Sequence, residues 1–265
     1  MPELPEVEAA AVVARRVLLG RTIASVSTHH AAQRRTLPAR DARHVTGRRV
    51  VRVDRRAKHQ HLVLDDGAVL AVHFRMNGDW EVVEAAAPLP RFARVALATT
   101  DGTRLCLVDT RALCSVTYHA PGHPPVLALG PEPDALTVDH LRAALARRTG
   151  PIKPLLLDQR VVAGLGNIYA AEALWRARIH PAQSARSLTD TQVGALVRGI
   201  KAAIADGFAR QGRYRDGRRE RPFKVYDREG QPCARCRTPV KRMAQAGRST
   251  YFCPACQRRT ANGRP

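Results

Sequence analysis

The stretch RVVRVDRRAKHQHLVLDDGAVLAVHF, residues 49–74, decides how the first half of the chain folds. Apolar and polar residues alternate through RVVRVD, HLVLDD and AVLAVHF, which is the period of a half-buried strand and not of a helix. Asp66-Gly67 sits between two of these runs and reads as a tight hairpin turn. The same period recurs outward in TIASVS, DWEVV, RVALAT and RLCLVD, with a second Asp-Gly turn at Asp101-Gly102. Ahead of them EVEAAAVVARRVLL, Glu6 to Leu19, is rich in alanine and leucine, carries acids in its first turn and stops at Gly20, so it predicts a helix. This half is expected to be an antiparallel sandwich or barrel with one leading helix.

Beyond Leu127 the texture changes. ALGPEPDAL, residues 128–136, is a Pro/Gly linker, and helical patterns follow at Val138–Arg148, Pro151–Leu157, Asn167–Arg176 and Thr189–Phe208. Thr137 and Thr189 are suited to cap two of these helices. QGRYRDGRRERP, Gln211 to Pro222, is a basic loop without apolar period, and the last forty or so residues follow a cysteine pattern of their own. The expected organisation is an α+β multidomain chain with segments 1–128, 129–222 and 223–261.

The 265 residues carry a formal net charge of +21, mostly from arginine. Arginine pairs with phosphate bidentately and keeps its charge, so nucleic acid is the leading partner. An arginine-rich composition alone would give the same excess, so charge is a prior and not a site. A hydrophobic content of 45% argues against disorder. No apolar run is long enough to span a membrane, and the N-terminus lacks the pattern of a secretion signal. The chain is expected to be cytoplasmic, nucleoid-associated and monomeric, with reduced thiols.

Cys233-x2-Cys236, sixteen residues, then Cys253-x2-Cys256 is the spacing of a four-thiolate zinc site. The segment is too small to hold a core without a metal, and a closed four-sulfur shell leaves no open position, so one structural Zn2+ is expected. Cys106 and Cys114 lie in or beside strand patterns and read as small apolar packing. VVAGLGNIYAAEALW, Val161 to Trp175, places two glycines before a helix opened by Asn167. Free N–H groups there suit a phosphate, although Gly-x-Gly more often marks a sharp loop.

The opening MPELPEVE raises a chemical possibility. Methionine is commonly removed before a small second residue, which would leave Pro2 with a free secondary amine. An α-amino group has a pKa of ~8 against ~10.4 for lysine, so on the order of a tenth is unprotonated at neutral pH. That suits a nucleophile, and Glu3 beside it can move protons. The plainer alternative is that Pro2 starts the helix while Glu3 and Glu6 favour its dipole.

MPELPEVE, RRAKHQHLVL, GLGNIYAAEAL and the terminal CxxC…RSTYFCPAC, in that order, closely resemble the bacterial formamidopyrimidine-DNA glycosylase family, which also includes endonuclease VIII. The resemblance runs from Met1 to about Gln257, and PELPEVE looks like the formamidopyrimidine branch. It implies a β-sandwich, a helix–two-turn–helix domain and a zinc-finger hairpin. It also implies a bifunctional repair enzyme on damaged double-stranded DNA. A proline amine attacks C1′, the base leaves, an iminium forms, and β- and δ-elimination cut the strand. By this resemblance Pro2 is the nucleophile, Glu3 the acid–base, and Glu6 a pocket organiser. Lys58 assists at a phosphate, although it could be an ordinary hairpin cation. His73, Asn167 and Tyr226 approach the DNA backbone, and Arg248, which matches the zinc-hairpin arginine, is counted with the catalytic residues. Glu172 matches a family glutamate and could equally be an ion-pair partner.

A target C1′ is hidden in the stack, so the nucleotide must be flipped and the gap filled. Met76 matches the family's inserted methionine, with a core role as the alternative; Asn77-Gly78 puts it at a turn tip. Arg111 matches the arginine that pairs with the orphaned base. The family's DPRRFG is DTRALC here, so Leu113 replaces a wedging phenylalanine and Ala112 an arginine. The Gln211–Pro222 loop is shorter than in members that clamp 8-oxoguanine. Ring-opened purines are the expected substrates, 8-oxoguanine a further one. Oxidised pyrimidines or abasic sites are the alternative, and a damage-binding zinc protein without catalysis is the competing class.

Overall fold

The computed structural model describes residues 2–210 and 223–259. The Gln211–Pro222 loop therefore lies outside the described residues. Contacts divide the chain into two compact units, Met1–Leu127 and Ala128–Pro265.

In the first unit helix α1 (Leu4–Leu18) precedes two four-stranded antiparallel sheets. One has the order β1 (Ile23–Thr28), β6 (Ala93–Thr99), β7 (Thr103–Val108), β5 (Asp79–Glu84). The other has the order β2 (Val50–Arg56), β3 (His59–Leu64), β4 (Val69–His73), β8 (Ser115–His119). Alternation puts one face of each strand inward. Val95, Leu97, Leu105 and Leu107 from the first sheet share a buried core with Val53, Leu62, Leu70 and Val116 from the second. Helix α1 adds Val7, Ala14, Val17 and Leu18 at i, i+3, i+4 and i+7 spacings. The expected sandwich is what forms, with both Asp-Gly pairs at hairpin turns: β3–β4 across Asp66-Gly67 and β6–β7 across Asp101-Gly102. Gly67 and Gly102 each have φ of +85°, which glycine adopts without strain.

Three elements in this unit go beyond the sequence reading. Strand β8 has little apolar period, and helices α2 (Ala31–Thr36) and α3 (Ala39–Val45) are short and arginine-rich. The opening residues also differ from their bland appearance: Pro2 through Val7 are all buried. Glu6 accepts a hydrogen bond from the Glu3 backbone N–H at 2.8 Å, closing the start of α1.

The second unit carries α4 (Val138–Ala146), α5 (Ile152–Leu156), α6 (Asn167–Ala177) and α7 (Asp190–Ala209), then a hairpin of β9 (Lys241–Gln245) and β10 (Arg248–Phe252). Thr137 and Thr189 both cap as expected, accepting from the N–H groups of His140 and Gln192. Helices α6 and α7 cross closely at Gly199, where a Cβ would lie 2.7 Å from the Ala173 carbonyl oxygen.

Candidate active site and zinc centre

In the first unit the chain's start is pinned to β2. The Glu8 carboxylate accepts from Arg15 and Arg55, each at 2.6 Å, and Arg15 also donates to the Val53 carbonyl. Burial works against ionising Glu8, but the hydrogen bonds and charges of the two arginines hold its carboxyl below the usual range. Glu3, next to Pro2, is fully buried. Three residues beyond Arg55 comes Lys58, in the two-residue turn between β2 and β3. Ala57 in that turn has φ of +52°, and Lys58 is only 9% exposed. An ordinary hairpin cation stands in solvent, whereas this lysine is largely covered.

His73, at the end of β4, faces His59 across the sheet register, with ring centroids 4.5 Å apart. Burial first, then the charges of His61, Arg75 and Lys58, lowers His59 to about 4; burial first, then the charges of His59, Arg75 and Lys58, lowers His73 to about 3. Both are therefore neutral near pH 7. His73 Nδ1 accepts from the Arg75 backbone N–H at 3.0 Å, which leaves the hydrogen on Nε2 as a neutral donor.

Met76 is 38% exposed in the turn after β4, not in the core. The turn requires Gly78, because a Cβ there would lie 2.7 Å from the Phe74 carbonyl oxygen. Asn77 Nδ2 donates to Thr110 Oγ1 at 3.0 Å, joining this turn to the loop that holds Arg111 and Leu113. That loop is organised by Asp109, a buried residue that no local pattern in the sequence marks. Its carboxylate accepts from the backbone N–H groups of Arg111 (2.9 Å), Leu113 (2.7 Å) and Cys114 (2.8 Å). From the other side, buried Gln33 donates to the carbonyls of Ala112 and Cys114. The result leaves Arg111 exposed and Leu113 45% exposed, displayed on a fixed backbone. Cys106 and Cys114 are buried, as their strand positions suggested, and burial pushes the Cys114 thiol up to about 12.

In the second unit Asn167 is the first residue of α6. Its Nδ2 donates to the Ser249 carbonyl at 3.0 Å, and its Oδ1 accepts from Lys153 Nζ at 2.5 Å. Lys153 is 1% exposed and also donates to the Ser249 carbonyl and to Thr250 Oγ1. This buried ammonium, invisible in the sequence, fixes the helix start against the hairpin strand that begins at exposed Arg248. Glu172 corrects its ion-pair reading: it accepts the backbone N–H groups of Lys224, Val225 and Tyr226 between 2.9 and 3.0 Å. A buried carboxylate at the mouth of a turn satisfies several N–H donors where one cation could not. The Tyr226 ring is thereby set edge-on between Phe223 and Tyr251.

The Sγ atoms of Cys233, Cys236, Cys253 and Cys256 all lie within 4.8 Å of one another. A zinc tetrahedron with bonds of about 2.3 Å has edges of roughly 3.8 Å, so the donor set fits. The backbone N–H of Arg235 and the Trp175 indole N–H both donate to Cys233 Sγ at 3.4 Å, which suits a thiolate. Arg235 stacks over the same indole, 4.2 Å from its centroid. Among the described residues, no helix is long and apolar enough to cross a membrane.

Three family descriptions match successive segments: the formamidopyrimidine-DNA glycosylase N-terminal domain at residues 1–116, its H2TH domain at 127–216, and the zinc finger found in FPG and IleRS at 230–259. The formamidopyrimidine-DNA glycosylase of Chloroflexus aggregans is 45% identical over 97% of this chain and 98% of its own. That of Paracoccus denitrificans is 40% identical over 97% of this chain and 100% of its own. Among solved structures, MutM in complex with DNA containing carbocyclic 8-oxo-G superposes with a TM-score of 0.89 at 29% identity, covering 97% of this chain and all of that one. MutM (Fpg) of Thermus thermophilus superposes with a TM-score of 0.84 at 36% identity, covering 98% of this chain and 100% of that one. The fold and its zinc finger define a helix–two-turn–helix glycosylase architecture. The chain belongs to the formamidopyrimidine-DNA glycosylase family, and its four-cysteine cluster holds one structural Zn2+.

Proposed function

We propose that this chain is a bifunctional DNA glycosylase and AP lyase of base excision repair. It removes oxidised purines, ring-opened ones foremost and 8-oxoguanine among them, from double-stranded DNA. The family membership supports the activity, and the relatives' names and DNA complexes support the substrate class. The observation that carries the chemistry is the buried start of α1: Pro2 and Glu3 are withdrawn from bulk water at a helix start tied down through Glu8.

With Met1 removed, the Pro2 nitrogen uses its lone pair to attack C1′. The C1′–N bond to the base breaks and the base leaves; the Pro2 nitrogen then loses its proton and expels O4′ as the C1′–O4′ bond opens, which leaves an iminium linking Pro2 to the ring-opened sugar. Glu3 moves the protons this requires. The iminium then acts as an electron sink for β- and δ-elimination, which expel the flanking phosphates. Glu6 holds the Glu3 backbone, and Lys58 and neutral His73 receive a phosphate. Met76 enters the gap left by the flipped nucleotide, Arg111 pairs with the orphaned base, and Leu113 wedges the opposite strand. Asn167, Tyr226, Glu172 through Tyr226, and Arg248 hold the backbone from the second unit.

In this reading residues 1–128 carry catalysis, 129–222 bind DNA, and 223–261 form the zinc hairpin. The protein acts as a monomer in the cytoplasm, on the nucleoid. Borohydride trapping tests the chemistry. A duplex carrying a ring-opened purine or an abasic site should yield a reduced covalent adduct that peptide mapping assigns to Pro2. An adduct at Lys58, or none with DNA binding intact, would overturn the mechanism.

A further inference from the structure

Phe92 lies between β5 and β6, is 38% exposed, and has φ of +70°. A bulky side chain in the left-handed region is strained, and the strain persists only where surroundings enforce it. The surroundings here are the loop of Arg111 and Leu113. The Asp109 backbone N–H donates to the Phe92 carbonyl at 3.1 Å, and Arg94 Nε donates back to the Asp109 carbonyl at 2.6 Å. The exposed ring therefore stands beside the loop that displays Arg111 and Leu113, which is itself joined to the Met76 turn.

Two guanidiniums lie over this ring: Arg91 at 4.7 Å from its centroid and Arg94 at 5.7 Å. They differ in what else they hold. Arg94 is occupied by the Asp109 carbonyl. Arg91 is exposed, and among the described residues no carboxylate pairs with it. An aromatic face attracts and orders a guanidinium without neutralising it, so Arg91 keeps its charge and its hydrogen-bond donors.

We propose that Arg91, laid on the Phe92 ring, is a phosphate clamp for the undamaged DNA strand, and that Phe92 is its positioning residue. The choice of strand rests on the reading above that Arg111 and Leu113 face the orphaned base and its strand. A guanidinium stacked on an exposed ring loses less rotamer freedom on binding than a free arginine does. The clamp thus supplies opposite-strand contact beside a wedge that, as leucine, stacks weakly.

The test measures equilibrium binding of the full chain to a duplex with a non-cleavable abasic-site analogue, across a salt series. Arg91→Ala should lower the slope of log K against log salt by about 0.9, the value of one phosphate contact, and weaken binding roughly five- to tenfold near 0.1 M salt. Phe92→Leu should weaken binding without changing that slope, and Phe92→Tyr should restore it. Phosphate-ethylation interference should show one sensitive phosphate on the undamaged strand in the wild type and none at that place in Arg91→Ala. Borohydride trapping at saturating DNA should be unchanged in all three variants. A wild-type slope for Arg91→Ala, or a lost contact on the damaged strand, would overturn the clamp. Failure of the wild type to bind the lesion duplex would instead overturn the glycosylase reading, and the clamp with it.

Discussion

Replacing Asp109 with asparagine tests whether the loop of Arg111 and Leu113 is ordered by one carboxylate. Oδ1 takes the Arg111 N–H, and Oδ2 takes those of Leu113 and Cys114. Asparagine keeps a single acceptor oxygen. In its better orientation it retains the pair at Leu113 and Cys114, and its amide group then points N–H toward the N–H of Arg111. A hydrogen bond to a charged acceptor contributes about 1.5–3 kcal/mol, so losing one and facing two donors together should cost about 2–3 kcal/mol. For a unit of this size, that should lower the melting temperature by roughly 8–12 °C. Asp109→Ala frees all three donors and should cost more. The functional consequence separates from the stability one. Below the melting transition, trapping at saturating DNA should survive, because Pro2 and Glu3 do not depend on this loop. Affinity for the lesion duplex should fall, and discrimination between bases opposite the lesion should narrow. Calorimetry and a binding series over the four opposite bases measure both. A variant with the wild-type melting temperature and the wild-type opposite-base preference would refute the argument.

Three further outcomes follow from other parts of the structure. Stripping zinc with a chelator should collapse the β9–β10 hairpin, change Trp175 fluorescence through its contacts with Cys233 and Arg235, and weaken DNA binding; unchanged affinity after complete metal removal would contradict this. Gly199→Ala should destabilise by about 1–3 kcal/mol, because its Cβ would meet the Ala173 backbone. Gly194→Ala on the same helix meets only the Arg198 side chain at 3.5 Å and should stabilise by about 0.5–1 kcal/mol in urea denaturation. His59 and His73 are held neutral, with folded values of about 4 and about 3 against an ordinary 6.5. The unfolded chain therefore binds more protons between those values, and stability present above pH 6.5 should decline as pH falls toward 4 and below. Melting curves of His59→Asn should fall less steeply than wild type between about pH 7 and pH 5, and parallel curves would count against the paired histidines.

What can be read in the sequence, and what cannot, divides by the range of the interactions involved. The strand period of residues 49–74, the two Asp-Gly turns and the caps Thr137 and Thr189 are local, so they stand in the structure where the sequence puts them. The four cysteines are legible for the same reason: each CxxC presents its sulfurs from one short turn. Strand β8 is illegible because Ser115–His119 has a weak period and gains its pairing only from β4. Lys153 looks like any cation in a helical pattern, yet two of its hydrogen-bond partners lie 96 and 97 residues away. Glu172 can be placed near function but not given a partner, since the N–H groups it accepts from begin 52 residues later.

The same division explains how the chemistry is built. Residues that would touch DNA, such as Met76, Arg111 and Leu113, sit on turns, where sequence motifs are most recognisable. Each turn is short and would be loose by itself. Its geometry comes from buried polar residues: Asp109 within the Arg111 loop and Gln33 from outside it, Glu172 for the Tyr226 turn, Lys153 for the Asn167 helix start. A buried carboxylate or ammonium is costly unless every hydrogen bond is made, so such a residue tolerates few arrangements of the backbone around it. That intolerance turns a display loop into a fixed one. It follows that substitutions at Asp109, Glu172 and Lys153 should change DNA affinity as sharply as substitutions at the contacting residues, although none of the three needs to reach the DNA itself.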